Sequence, residues 1–113
     1  MSVVIYHNPK CSTSRKTLDL LRDNGIEPEV VQYLKTPPTR AQLAAMIDAA
    51  GIDVRAAVRR RESLYDELNL ADATDDELLD AMAEHPILIE RPWVVTDKGT
   101  RLARPVDNVL EIL

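Results

Sequence analysis

Apolar and polar positions along this chain switch between two periods, and the switches divide it into short elements. Val3-Val4-Ile5-Tyr6 is a β-branched run that predicts a first buried strand. A polar stretch over residues 7–14 follows. Leu18 and Leu21, one turn apart, then mark a helix that Asn24-Gly25 ends. Glu29 to Tyr33, through Val30 and Val31, predicts a second strand. A β-α-β unit takes a right-handed crossover, so these two strands are expected to be parallel.

Thr36-Pro37-Pro38 interrupts the pattern. Thr39 and Gln42 form a capping box ahead of the stripe Leu43, Met46, Ile47 and Ala50, and Gly51 stops that helix. Asp53 is placed to cap a short helix carrying Val54, Ala57 and Val58 and ending in Arg59-Arg60-Arg61. Ser63 is placed to cap another through Leu64 and Leu68. Thr74 and Glu77 make a second capping box before Leu78, Leu79 and Met82, with Pro86 closing the helix. Ile87-Leu88-Ile89 reads as extended. Trp93-Val94-Val95-Thr96 is a strand, Asp97-Lys98-Gly99-Thr100 a hairpin turn, and Arg101-Leu102-Ala103-Arg104 the returning strand. Pro105 suits the first position of a last helix with Val106, Val109, Leu110 and Leu113 on one side. The order β-α-β, helical insert, β-β-α predicts an α/β chain. It is the thioredoxin-like order, a mixed four-stranded sheet with a helical insertion between its halves, expected as a single domain over residues 1–113.

Composition narrows the function classes. At 45% hydrophobic residues the chain can bury a core, and with no Phe that core must be Leu, Ile, Val, Ala and Met. A formal net charge of −5 speaks against nucleic acid as a partner. The N-terminal residues lack a basic region and a long apolar run, and no segment is long enough to cross a bilayer, so no membrane partner is expected. The chain has 1 Cys, which excludes an intramolecular disulfide and fits the reducing cytoplasm.

That cysteine carries the chemistry. Cys11 lies where a strand and turn give way to a helix, near unpaired backbone N–H groups and the positive end of the helix dipole. Such a setting lowers a thiol pKa from about 8.5 and favours the thiolate nucleophile. Ser12, Thr13 and Ser14 add hydroxyls, Lys10, Arg15 and His7 are sources of positive charge, and a turn of this kind can cradle an oxyanion. A lone Cys is more commonly an inert core side chain; polar and basic neighbours on both sides favour reactivity here. Dithiol exchange needs C-x-x-C, but position 14 is Ser. A thiol phosphatase loop needs C-x5-R, but the aligned position is Thr17. An oxidised Cys11 must then be restored by an external thiol, for which glutathione and a glutaredoxin are natural candidates. No metal is expected, since one Cys with His7 and His85 supplies no zinc-type ligand set.

The motif His7-Asn8-Pro9-Lys10-Cys11-Ser12-Thr13-Ser14-Arg15 resembles the N-terminal motif of the glutaredoxin-dependent arsenate reductases. The likeness continues collinearly through Tyr33-Leu34-Lys35-Thr36-Pro37-Pro38, Val54-Arg55-Ala56-Ala57-Val58-Arg59, His85-Pro86-Ile87-Leu88-Ile89-Glu90-Arg91-Pro92 and Gly99-Thr100-Arg101-Leu102-Ala103-Arg104-Pro105. The resemblance implies a thioredoxin-like fold with a helical insertion. Cys11 would be the nucleophile. Arg59, Arg91 and Arg104 would bind arsenate and its thiol adducts, with Arg59 chosen over Arg60 by register alone. His7 matches a histidine that helps keep the thiol ionised, Asn8 and Ser14 would organise the loop, and Arg91-Pro92 matches a cis peptide.

The implied reaction has the Cys11 thiolate attack arsenic and displace hydroxide or water. Glutathione then attacks the adduct, a glutaredoxin resolves the mixed sulfur species, and arsenite leaves. No bound cofactor is implied, only glutathione as co-substrate. Ser12 stands where this family often has Gly, which bears on anion preference. Two other readings of the fold stay open. A redox regulator that binds RNA polymerase would typically carry C-x-x-C, which Ser14 breaks. A glutathione-linked thiol transferase would need Cys11 but not the arginines.

Overall fold

A computed structural model describes residues 2–113. It divides into two compact units: the residues up to Thr36 together with Arg91–Leu113, and Pro37–Glu90.

The first unit is built on a sheet. β1 (Val4–His7) leads through a turn into α1 (Ser12–Asp23), and β2 (Glu29–Gln32) returns parallel to β1. β3 (Trp93–Thr96) and β4 (Gly99–Leu102) form an antiparallel hairpin, with β3 antiparallel to β1, so the sheet order is β2-β1-β3-β4. This is the expected thioredoxin-like arrangement. The core of the unit is Val3, Ile5, Leu21, Val94, Ala103, Val109 and Ile112, with Leu18 packed at its margin. Thr96 Oγ1 donates to the Ile112 carbonyl at 2.7 Å and tethers the C-terminal segment to the hairpin.

Two expectations in this unit change. The returning strand ends at Leu102 rather than Arg104: Ala103 N–H still reaches the Pro92 carbonyl across the hairpin, but Pro92 has no N–H to return, and Arg104 N–H turns back to the Leu102 carbonyl. The last helix, Val106–Ile112, is 3-10 rather than α, and Pro105 precedes it as the cap instead of occupying its first turn. A period of three puts Val109 and Ile112 inside and leaves Leu110 exposed at 48%. The peptide Arg91-Pro92 is cis, as the resemblance implies. Arg104-Pro105 is cis as well, a feature the sequence reading did not single out.

The second unit is helical. α2 (Arg40–Ala50) and α4 (Asp75–Glu84) both begin with the predicted capping boxes, Thr39 with Gln42 and Thr74 with Glu77. Gly51 ends α2 at φ 68°, the left-handed conformation that glycine adopts without penalty. The short helix after Asp53 is a 3-10 turn over Val54–Ala57, without a side-chain cap bond. Val58 leaves it to form a bridge with Ile89. Ile87-Leu88-Ile89 is accordingly not extended throughout: Pro86–Leu88 is a 3-10 turn, and the bridge begins at Ile89.

α3 (Ser63–Glu67) has Glu62 rather than Ser63 at its N-cap position, and that side chain makes no cap bond. Its buried side chain is Tyr65, whereas Leu68 is exposed. Arg55 explains that choice. Its guanidinium donates to the Tyr65 hydroxyl at 3.1 Å and to the carbonyls of Leu70 at 3.1 Å and Ala73 at 2.6 Å, pinning the segment after α3 by its backbone. No helix among the described residues is long and apolar enough to cross a membrane.

Candidate active site

Sheet topology brings the candidate site residues of the first unit to one edge. β1 runs toward that edge and delivers residues 8–11 beyond His7. β2 is parallel, so its C-terminal end lies there too, with Gln32 opposite His7. β3 is antiparallel and starts there, with Trp93 opposite Tyr6, so Arg91 and Pro92 lie just outside the sheet. β4 ends opposite Trp93 at Leu102, which carries Arg104 to the same place. Cys11, Arg91 and Arg104, far apart in sequence, thus share the end of the sheet outside the carboxyl termini of its parallel strands, where α/β folds gather their ligands.

The loop that presents Cys11 is held by Asn8. Its carbonyl accepts the Cys11 N–H at 3.0 Å, its Oδ1 accepts the Lys10 N–H at 3.0 Å, and its own N–H donates to Ser14 Oγ at 3.0 Å. Cys11 is then the N-cap of α1, with extended backbone and a carbonyl that takes the Arg15 N–H at 3.0 Å. Sulfur makes no conventional capping bond there. The Ser14 and Thr13 N–H groups nevertheless act on it, as expected of a large, polarisable acceptor in the N-cap position.

Two arginines complete the surroundings of the sulfur. Arg104 Nη2 lies 3.8 Å from Cys11 Sγ, and its Nε donates to the Arg91 carbonyl at 2.7 Å, so one guanidinium ties the two arms together. Arg91 contributes its charge and a side-chain hydrogen bond to the sulfur. Burial pushes the Cys11 thiol up. The Ser14 N–H, the Arg91 charge and hydrogen bond, and the Thr13 N–H outweigh it and hold the thiol below the ordinary cysteine value. The main influences are therefore backbone dipoles and Arg91, rather than the flanking cations Lys10 and Arg15. Arg15 donates instead to the Pro9 carbonyl at 2.9 Å, and Lys10 faces solvent.

His7 is not a source of charge. It is buried, and burial followed by the charges of Arg22 and Arg15 lowers its pKa below the usual imidazole range. It is neutral near pH 7. Its Nδ1 sits 2.6 Å from Ser14 Oγ. That same oxygen accepts the Asn8 N–H, so one hydroxyl joins the imidazole to the loop backbone. His7 therefore acts through Ser14, the residue whose N–H reaches the sulfur.

The three hydroxyls of the loop have different surroundings: Ser14 is fully buried in this network, Thr13 half-buried, and Ser12 exposed. Two positions escaped the sequence reading. Thr17 is buried and bonds back to the Thr13 carbonyl at 2.8 Å, bracing the first turn of α1. Asn108 donates to the Arg104 carbonyl at 3.2 Å. A Thr inside a helix and an Asn soon after a Pro are the only signals either gives in sequence.

Arg59 belongs to the second unit. Its N–H bonds the Leu88 carbonyl at 2.7 Å and its guanidinium lies 3.7 Å from a Glu62 carboxylate oxygen. His85 lines an open acidic cleft in that unit, with Asp72, Glu77, Asp80 and Glu84. Among the described residues, no group of three or more His, Cys, Asp or Glu side chains is arranged to hold a metal ion.

The ArsC family model matches residues 6–112 of the chain. The arsenate reductase of Rhizobium meliloti is 60% identical, with 100% of this chain and 82% of that protein covered. The arsenate reductase of Escherichia coli K12 is 54% identical over 99% of this chain and 81% of that protein. Among solved structures, an arsenate reductase from Vibrio cholerae superposes with a TM-score of 0.95 at 55% identity, covering 100% of this chain and 98% of the other.

Proposed function

The chain belongs to the ArsC family, and from that membership we propose that it is an arsenate reductase that works through a covalent adduct on Cys11. The observation that carries this reading is the convergence of Arg91 and Arg104 on the sulfur of a cysteine whose thiol is already biased toward thiolate. A thiolate is the form that attacks, and two guanidinium groups beside it supply the charge that a tetrahedral oxyanion needs while negative charge builds up in the transition state. The thiolate attacks arsenic, forming an S–As bond as hydroxide or water departs with a proton taken up from solvent. Glutathione then attacks the adduct, and a glutaredoxin resolves the mixed sulfur species. The balance is one arsenate and two thiols giving arsenite, one disulfide and water. Arsenic gains two electrons and the thiols lose them.

The single cysteine supports the dependence on an external thiol, because the chain holds no second sulfur to close a disulfide with. In this reading Asn8, Ser14 and neutral His7 position the loop, while Ser12 and Thr13 contribute hydroxyls at its rim. The resemblance gives Arg59 a share in anion binding, which turnover of Arg59→Ala and Arg60→Ala decides. NADPH-coupled arsenate reduction with glutathione and glutaredoxin tests the whole. Turnover that disappears in Cys11→Ser and falls steeply in Arg91→Ala is the expected result. A wild-type chain that reduces no arsenate while Cys11 still alkylates rapidly near neutral pH would overturn it.

A thiol-transferase activity of the same cysteine is the second reading, favoured by the exposed Lys10, Leu34 and Lys35 on the β2 side of the site. It would survive Arg91→Ala and Arg104→Ala, whereas arsenate turnover would not.

A further inference from the structure

The edge that carries Cys11 has two unlike sides. With the sheet order β2-β1-β3-β4, the arginines arrive from the β3 and β4 side, and the turn after β2 flanks Cys11 on the other. That turn is fixed to the strand end: the N–H groups of Lys35 and Thr36 both bond the Gln32 carbonyl, at 2.9 and 3.0 Å. Gln32 is the register partner of His7, and neighbouring strands lie about 4.8 Å apart. Lys35 and Lys10 are thus each three residues beyond a paired position, on adjacent turns.

Both lysines are exposed. Neither ammonium makes a hydrogen bond or ion pair among the described residues. In a chain of net charge −5 this is a local excess of positive charge. The other two lysines differ: Lys98 donates to the Leu113 carbonyl at 2.9 Å, and Lys16 lies further along α1. Leu34, between the strand end and Lys35, is 45% exposed and adds apolar surface.

We propose that the Lys10–Leu34–Lys35 shoulder is the seat of the incoming thiol, and that it selects a small peptide thiol with two carboxylates, of the glutathione class. This rests on the reading that an external thiol restores Cys11. Its logic is a division of the site. The arginine side holds the oxyanion, and the shoulder holds the carboxylates of the second reactant, so that both meet at one sulfur without competing for the same cations. Exposed ammonium–carboxylate contacts are individually weak and salt-sensitive, which suits a reactant that must leave after each turnover.

The test needs no arsenate. The Cys11 thiolate attacks one sulfur of glutathione disulfide, a new S–S bond forms as the old one breaks, and glutathione leaves as the thiolate. The second-order rate of this step, followed by intact mass, is compared with that for bis(2-hydroxyethyl) disulfide, which has no charge. Lys10→Ala/Lys35→Ala is expected to lower the glutathione disulfide rate roughly fivefold at low salt, as two lost exposed ion pairs imply. The rate with the uncharged disulfide should stay the same. Lys10→Glu/Lys35→Glu should lower the first rate further, and Lys16→Ala should change neither. A double variant that reacts with both disulfides as the wild type does would overturn the proposal. So would an equal fall with both, which would mean that the thiol itself had changed. Arsenate turnover is scored separately, so failure to reduce arsenate would remove the arsenate reductase function, while the shoulder stands or falls on this ratio.

Discussion

The longer helices of the two units are capped in opposite ways. In the helical unit, α2 and α4 start from threonine capping boxes that return two backbone N–H groups to side-chain oxygens. In the sheet unit, α1 starts from Cys11, whose sulfur makes no ordinary cap bond. A Ser, Thr or Asp there would hold the helix better by about 1 kcal/mol. The first-turn N–H groups of α1 are left to stabilise a thiolate instead. In α2 and α4 the first turn is satisfied by the chain's own side chains; in α1 that satisfaction is withheld and offered to a sulfur.

The largest effect that separates the two cases is expected from Cys11→Asp. It should abolish arsenate turnover while raising the unfolding free energy by about 1 kcal/mol, because a carboxylate at the N-cap completes the helix and keeps a charge for the arginines. Urea denaturation checks it, and a loss of stability would mean that the α1 terminus is not under-capped. Arg91→Ala comes next, with kcat/KM for arsenate falling roughly 10²–10³-fold, as for loss of one preorganised charge donor.

The same variant should move the midpoint of the pH–alkylation profile of Cys11 upward, since the Arg91 charge is one of the groups that lowers it. The linkage has a definite sign. A depressed thiol pKa contributes stability in full above the unfolded value of about 8.5. That contribution is lost as pH falls through the lower folded value, and in Arg91→Ala it shrinks.

On the other side of the comparison, Thr39→Ala and Thr74→Ala should each cost about 1 kcal/mol of stability. Both should leave the alkylation rate of Cys11 unchanged, and a change in that rate would show that the caps reach the chemistry. The smallest effect concerns His7. Its folded pKa is lowered, so its contribution is complete above about 6.5 and fades as pH falls through the folded value. His7→Gln should flatten the acid limb of the stability curve, and a limb as steep as that of the wild type would remove His7 from this role.

Sequence signals were strongest where a local rule fixes a local structure. Both capping boxes, the glycine stop at Gly51 and the β-α-β opening follow from spacing alone, and the resemblance extended this to the cis peptide at Pro92. The reading failed where tertiary bonds decide. Arg104 leaves its strand because Pro92 opposite the strand end has no N–H to offer and the Arg104 N–H turns back to the Leu102 carbonyl, and Tyr65 is buried where Leu68 is not, with Arg55 reaching its hydroxyl. At the site, the placement of Cys11 at the start of α1 was legible from the turn that precedes a helix. The state of His7 was not, because burial and two arginine charges set it, and no short motif displays either.

Ser14 has a consequence for the chain's evolutionary options. Its hydroxyl has no solvent exposure, takes the Asn8 N–H and meets the His7 ring at 2.6 Å. A cysteine there would create C-x-x-C in a single substitution. It would also place a bulkier, weakly hydrogen-bonding sulfur where a small oxygen serves two partners at once. The mutational step from one thiol to two is short in codons and steep in packing. The packing around Ser14 thus weighs against a second thiol in this loop.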